Sequence, residues 1–204
     1  MEAGNRLEEA RAAAQWMIDQ AEVGSDAIGI VAYDGTATVV QPVTLIDSKA
    51  TRDALTAQLA TIQIGGTNAA LGAALETALN EIRTSSDSDA GSVFLFTSNS
   101  LAGSTLSFEV IEDYQDAGIP IFTFDYGVEG NAATLSQTLA EETGGTYSAV
   151  PSFPNAILAL AAAQSESTPD VEVAITQNQI SIAGSATETV PFGSCPIYVQ
   201  IAFP

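Results

Sequence analysis

Two hydrophobic rhythms divide the chain. In residues 5–22, Leu7, Ala10, Ala14, Met17, Ile18 and Ala21 recur at helical spacing, while Glu8, Glu9, Arg11, Asp19 and Gln20 hold the opposite face. The pattern predicts an amphipathic helix that breaks at Gly24-Ser25-Asp26. Residues 27–33 form an apolar run without alternation, which suits a strand buried on both faces. Asp34-Gly35 is a hairpin turn signal, and residues 36–44 follow as an antiparallel edge strand, where Pro42 costs no ladder bond. Further helices are expected over 49–61, 67–83, 104–117, 132–142 and 154–164, and further strands over 92–97, 119–124 and 146–150. Strands alternating with helices of this length predict an open α/β sheet, mostly parallel and Rossmann-like, with helices on both faces.

The rhythm changes after residue 164. Residues 165–170 read as a polar linker containing Pro169. Beyond it only alternating segments remain, at 171–176, 179–183, 187–192 and 197–203. These predict an incomplete antiparallel region, the opening strands of a β-sandwich over 171–204, because so short a stretch cannot bury a core of its own. The expected organisation is therefore one domain over 1–164, a linker over 165–170 and the start of a second domain over 171–204.

Composition narrows the chemistry. Among 204 residues, five Lys and Arg face 25 Asp and Glu, a net charge of −20, which repels nucleic acid and anionic membrane surfaces. The absence of His removes His-based general-base catalysis, Ser-His-Asp triads and most zinc sites. Cys195 is the single cysteine and cannot form an intrachain disulfide. No apolar run is long enough to span a membrane, and the acidic, helical beginning of the chain does not read as a signal peptide.

The motif of most interest is Gly65-Gly66-Thr67-Asn68, ahead of an apolar-periodic segment. A glycine pair lets backbone approach an ion, and Thr67 offers a hydroxyl either to a hard cation or to the first turn of a helix as its N-cap. With Asn5-Arg6-Leu7-Glu8-Glu9-Ala10-Arg11, the 29–33 strand, Ala73-Ala74-Leu75 and Thr143-Gly144-Gly145-Thr146-Tyr147, this order resembles the von Willebrand factor A domain over residues 1–164. Within that family the chain looks most similar to proteins grouped with calcium-activated chloride channel regulators, where a β-sandwich also follows the A domain.

The resemblance implies a non-enzymatic protein-binding or adhesion-type module of a larger extracytoplasmic or cell-surface protein. It also implies a metal-ion-dependent adhesion site built from an Asp-x-Ser-x-Ser loop, a Thr and an Asp. Mg²⁺ favours an octahedron of about six oxygens, and three loops at one sheet edge can supply it. Thr67 matches the Thr, and Ser98 stands where the Asp is expected, within Thr97-Ser98-Asn99-Ser100. The Asp-x-Ser-x-Ser loop and the central strand before it have no counterpart, so the domain reads as truncated at its N-terminus. The expected metal set is thus Thr67 and Ser98, an incomplete site. No cofactor is expected in this chain, with Mg²⁺, Ca²⁺ or Mn²⁺ reserved for an intact parent protein. Two alternatives stand beside this reading: a structural spacer without metal, and an accessory domain of a metalloprotease-like channel regulator.

Other residues have structural readings. Asp34 is expected in a turn, Asp87 and Asp89 in a solvated loop, Glu141 and Glu142 on an exposed helix face, Trp16 and Tyr33 in the core or its rim, and Asp125 at a strand end capping backbone. The missing strand poses a physical problem. Strands 27–33 and 92–97 would flank a gap of about 10 Å, twice the inter-strand spacing. Unpaired backbone groups along it would cost on the order of 1–3 kcal/mol each. Direct pairing, insertion of another segment or chain, or instability would follow, and the chain alone is expected to aggregate or to behave as a loose compact state.

Overall fold

The computed structural model describes residues 3–63, 70–85, 91–97, 106–126, 131–150, 153–167, 172–176, 179–183 and 197–202. Within these, helix α1 (Ala3–Gln20) leads to strands β1 (Ala27–Tyr33) and β2 (Ala37–Leu45), and then to helices α2 (Lys49–Thr61) and α3 (Leu71–Ser85). Strand β3 (Ser92–Thr97), helix α4 (Phe108–Ala117), strand β4 (Ile121–Asp125), helix α5 (Asn131–Thr143), strand β5 (Tyr147–Ala149) and helix α6 (Phe153–Ser167) follow. The chain continues with β6 (Glu172–Thr176), β7 (Gln179–Ala183) and β8 (Ile197–Ala202).

The main sheet runs β2-β1-β8-β3-β4-β5. Pairing is parallel between β1 and β8, β8 and β3, β3 and β4, and β4 and β5; β2 is antiparallel to β1 at the edge. The expected open α/β architecture is therefore present, and Pro42 lies on the edge strand.

Alternation along the strands divides two cores. Ile28, Ile30, Phe94, Phe96, Phe122 and Phe124 face α1, α2 and α6. Val31, Tyr33, Val93, Leu95 and Ile121 face α3, α4 and α5. On the first face the parallel register sets Phe94 beside Phe122 and Phe96 beside Phe124, with ring centroids 5.1 Å apart in both pairs. Each pair adds roughly 0.5–1.5 kcal/mol to the burial of its area.

Local signals fix the ends of elements. Ser48 caps α2 by accepting from the Thr51 amide, and Ser107 caps α4 by accepting from the Glu109 amide. Helix α4 thus starts later than the 104–117 pattern suggests, and it ends at Gly118 in the left-handed conformation. The Tyr114 hydroxyl donates to the Leu75 carbonyl at 2.8 Å and ties α4 to α3.

The structure departs from the sequence reading at residues 197–202. These were expected to join an antiparallel sandwich. They instead fill the seat between β1 and β3, in parallel with both, while β6 and β7 pair antiparallel in a separate two-stranded sheet. The physical reason is the open ladder itself: two buried strands with unsatisfied facing edges take up the apolar strand that reaches them. Of the three outcomes open to the gap, insertion of another segment is the one observed. The expected strand over 187–192 and Cys195 lie outside the described residues.

Candidate functional site

The carboxyl ends of β1, β3 and β4 bring Tyr33, Asp34, Thr97 and Asp125 to one edge of the sheet. Ligands of open α/β sheets gather outside this edge. At β1, Asp34 behaves as a turn residue: its carboxylate accepts from the Thr36 amide at 3.1 Å. Its carbonyl accepts from the Ala70 amide at 2.6 Å, which holds the entry to α3 against the end of β1. A cleft of ≈ 150 Å³ opens here, lined by Leu7, Tyr33, Asp34, Thr36, Ile62 and Gln63 among others.

Across the edge, Thr97 and Asp125 are register partners, and the Thr97 carbonyl accepts from the Tyr126 amide at 2.8 Å. Asp125 does not serve as the backbone cap expected of it. Its side chain is buried, and its Oδ1 accepts from the Ser136 hydroxyl of α5 at 3.0 Å. Its Oδ2 is buried with no hydrogen-bond partner among the described residues. Burial pushes the Asp125 carboxyl up to about 7, with the Ser136 bond acting against it. Burial likewise raises the Tyr33 phenol, opposed by Thr97 and reinforced by the charge of Asp125. Tyr147 shifts upward through burial and through Asp125. The edge therefore carries one poised acid, surrounded by hydroxyls.

Thr67 and Ser98, the two expected metal ligands, lie outside the described residues, as do Asn99, Asp87 and Asp89. Chain connectivity still brackets them. Ser98 follows Thr97 directly, and the segment containing Thr67 runs into Ala70, bonded at the end of β1. Among the described residues no group of three His, Cys, Asp or Glu side chains converges. Asp34 is engaged with its own turn, and Asp125 is buried on the face covered by α5.

The remaining expectations resolve simply. Glu141 and Glu142 are exposed on α5, Tyr33 is core, and Trp16 packs partly buried against the core. Sequence reasoning missed Ser136 and Thr123. The alternation of Ile121, Thr123 and Asp125 against Phe122 and Phe124 carried the signal, since it sets two polar groups on the face beneath α5.

The Thr143-Gly144-Gly145 turn fixes the last parallel pair. The Thr143 hydroxyl donates to the Leu139 carbonyl at 2.8 Å and accepts from the buried Ile121 amide at 3.0 Å. Gly144 sits at φ 81°, and a Cβ on Gly145 would stand 2.6 Å from the Ile121 carbonyl carbon. The model of the von Willebrand factor type A domain matches residues 3–163, the span that builds these elements up to α6.

The chain belongs to the von Willebrand factor type A domain family.

Solved structures agree on the fold of this A domain. It is similar to BatB from Bacteroides thetaiotaomicron, described as a conserved hypothetical protein, at 18% identity and a TM-score of 0.61, covering 78% of this chain and 87% of that one. An aerotolerance-related membrane protein from Bacteroides fragilis matches at 17% identity and 0.59, with 78% and 87% covered. A von Willebrand factor type A protein from Catenulispora acidiphila matches at 18% and 0.65, covering 82% of this chain and 39% of that one. No curated protein matches the chain. Among the described residues no helix of this A domain is long and apolar enough to cross a membrane.

Proposed function

We propose that this A domain is a non-enzymatic protein-binding module that meets its partner through the carboxyl edge of the sheet. One observation carries the reading: β1, β3 and β4 end together there and bring Asp34, Thr97 and Asp125 to one edge. The metal site at this edge is degenerate. Thr67 and Ser98 offer neutral hydroxyls where a Mg²⁺ site needs anionic oxygen, and affinity falls with ligand charge. Contact with the partner therefore rests on hydroxyl and backbone groups and on the cleft at β1, with a divalent cation contributing weakly.

The resemblance to membrane-associated A-domain proteins favours a place in an extracytoplasmic part of a larger protein, as does the charge of −20. A spacer without metal is the second reading, favoured by Ser98 in the position of the expected Asp. The role of accessory domain in a channel regulator rests on sequence resemblance alone. Helix α6 runs to Ser167 and β8 belongs to the main sheet, so the linker narrows to 168–170 and only the β6–β7 hairpin stands as the start of a further region in the proposed organisation.

Peptides selected from a displayed random library against the full chain test the main reading by hydrogen-exchange footprint. Protection at 34–38, 97 and 126 supports it. Footprints confined to the opposite edge, around Gly24–Asp26 and the start of β3, contradict it.

A further inference from the structure

The β1 side chains that face α1 and α2 shrink toward the carboxyl end of the strand. Ile28 and Ile30 are fully buried in the core on that face. The next position on it is Ala32, whose register partner on β2 is Thr38. A methyl group does not fill the space an isoleucine fills, and the cleft of ≈ 150 Å³ opens there. Leu7 of α1 and Ile62 at the end of α2 form apolar walls, each 6% exposed. Asp34, Thr36 and Thr38 supply the polar side. Asp34 is the charged residue of the lining and is only partly exposed. Its Oδ1 accepts from the Thr36 amide, and no basic side chain among the described residues pairs with it.

The lining selects the occupant. Pockets for drug-sized molecules run to about 300–1,000 Å³, so this cleft has room for a single side chain. An apolar side chain would cover the Asp34 carboxylate without satisfying it. A basic side chain meets both surfaces, because its alkyl stem lies along apolar walls while its charged head reaches the acid. The net charge of −20 acts in the same direction and draws a cationic partner.

We propose that this cleft anchors a lysine or arginine side chain of the partner protein, with the stem against Leu7 and Ile62 and the cationic head on Asp34. The anchor rests on the reading of the carboxyl edge as the contact face and adds the chemistry that the partner brings to it. Asp34 is preorganised for this contact. The Thr36 amide holds its carboxylate, and its carbonyl accepts from the Ala70 amide, so little freedom is lost on binding.

The probe is Nα-acetyl-lysine N-methylamide, titrated into the full chain while amide and methyl shifts are followed by NMR. The norleucine counterpart, which has the stem without the charge, is the control. The expected result is saturable shifts at Leu7, Ala32 and Ile62 with the lysine compound and none with the norleucine compound. Asp34→Asn keeps an acceptor for the Thr36 amide, so the turn survives, and it weakens lysine binding by about fivefold or more. Asp113→Asn removes an exposed acid from α4, changes the net charge equally and leaves binding unaltered. Equal binding of the two compounds, equal effects of the two substitutions, or no saturable shift at the three residues overturns the anchor and leaves the contact face standing. The footprint of selected peptides judges that face separately, and protection confined to the opposite edge overturns the face and the anchor together.

Discussion

Ser136 Oγ donates to Asp125 Oδ1 at 3.0 Å, across the interface of α5 with the carboxyl end of β4. The other carboxylate oxygen is buried without a partner among the described residues, so the ionised form is held at a cost and the carboxyl sits at about 7. In the unfolded chain the same group titrates near 3.9. Between these values the folded state binds the extra proton, so stability falls as pH rises from about 4 to about 7 and levels off above. Asp125→Asn removes that slope. The stability of the unaltered chain minus that of the variant should drop by on the order of 4 kcal/mol from pH 4 to pH 8, read by urea unfolding at each pH. A difference independent of pH would show that Asp125 is not held in this way.

The Gly144-Gly145 pair makes a graded prediction. Gly144→Ala places a Cβ on a left-handed residue with open space around it, at a cost of roughly 1–2 kcal/mol. Gly145→Ala drives a Cβ into the Ile121 carbonyl and must shift β4 or the turn, so its penalty should exceed that of Gly144→Ala. Thermal or urea midpoints of the two variants give the order, and the reverse order would refute the turn geometry.

Thr143→Val tests the buried bond that joins this turn to β4. The substitution keeps the shape and strands the Ile121 amide, which loses its acceptor. A loss of roughly 1–3 kcal/mol in unfolding free energy is expected. Exchange of the Ile121 amide should accelerate beyond what that loss explains, and an unchanged amide would contradict the assignment.

Net charge predicts the response to salt. With 25 acids against five bases, folding gathers like charges, and the repulsion is screened as ionic strength rises. The melting temperature should climb between about 10 mM and about 1 M NaCl. A fall over that range would mean that attractive pairs such as Arg11 with Glu8 and Lys49 with Asp53, each within one helix, dominate.

Much of this fold was legible in the chain because its signals are local. Leu7, Met17 and Ile18 mark one helix face, and the unbroken apolar run of β3 marks a strand buried on both sides. Pro42 marks the edge. The seat of β8 was not legible for a physical reason. Alternation in residues 197–203 is compatible with any half-buried strand, and nothing local states which ladder it joins; that choice belongs to β1 and β3, far away in sequence. The polar cluster was half legible. Asp125 was visible at a strand end, but its partner Ser136 lies on a helix whose docking sets the contact. The Thr143-Gly144-Gly145 turn was legible as a motif, while the collision that demands Gly145 needs the position of Ile121.

The proposal that the carboxyl edge is a contact face with a depleted cation site is tested most directly by calorimetric titration of Mg²⁺ and Mn²⁺. The full chain and its Ser98→Asp variant are compared under identical conditions. The account predicts weak, unsaturated binding to the unaltered chain up to millimolar cation, and a tenfold or greater gain in affinity on restoring the carboxylate. Stoichiometric micromolar binding to the unaltered chain, or no gain from Ser98→Asp, would contradict it.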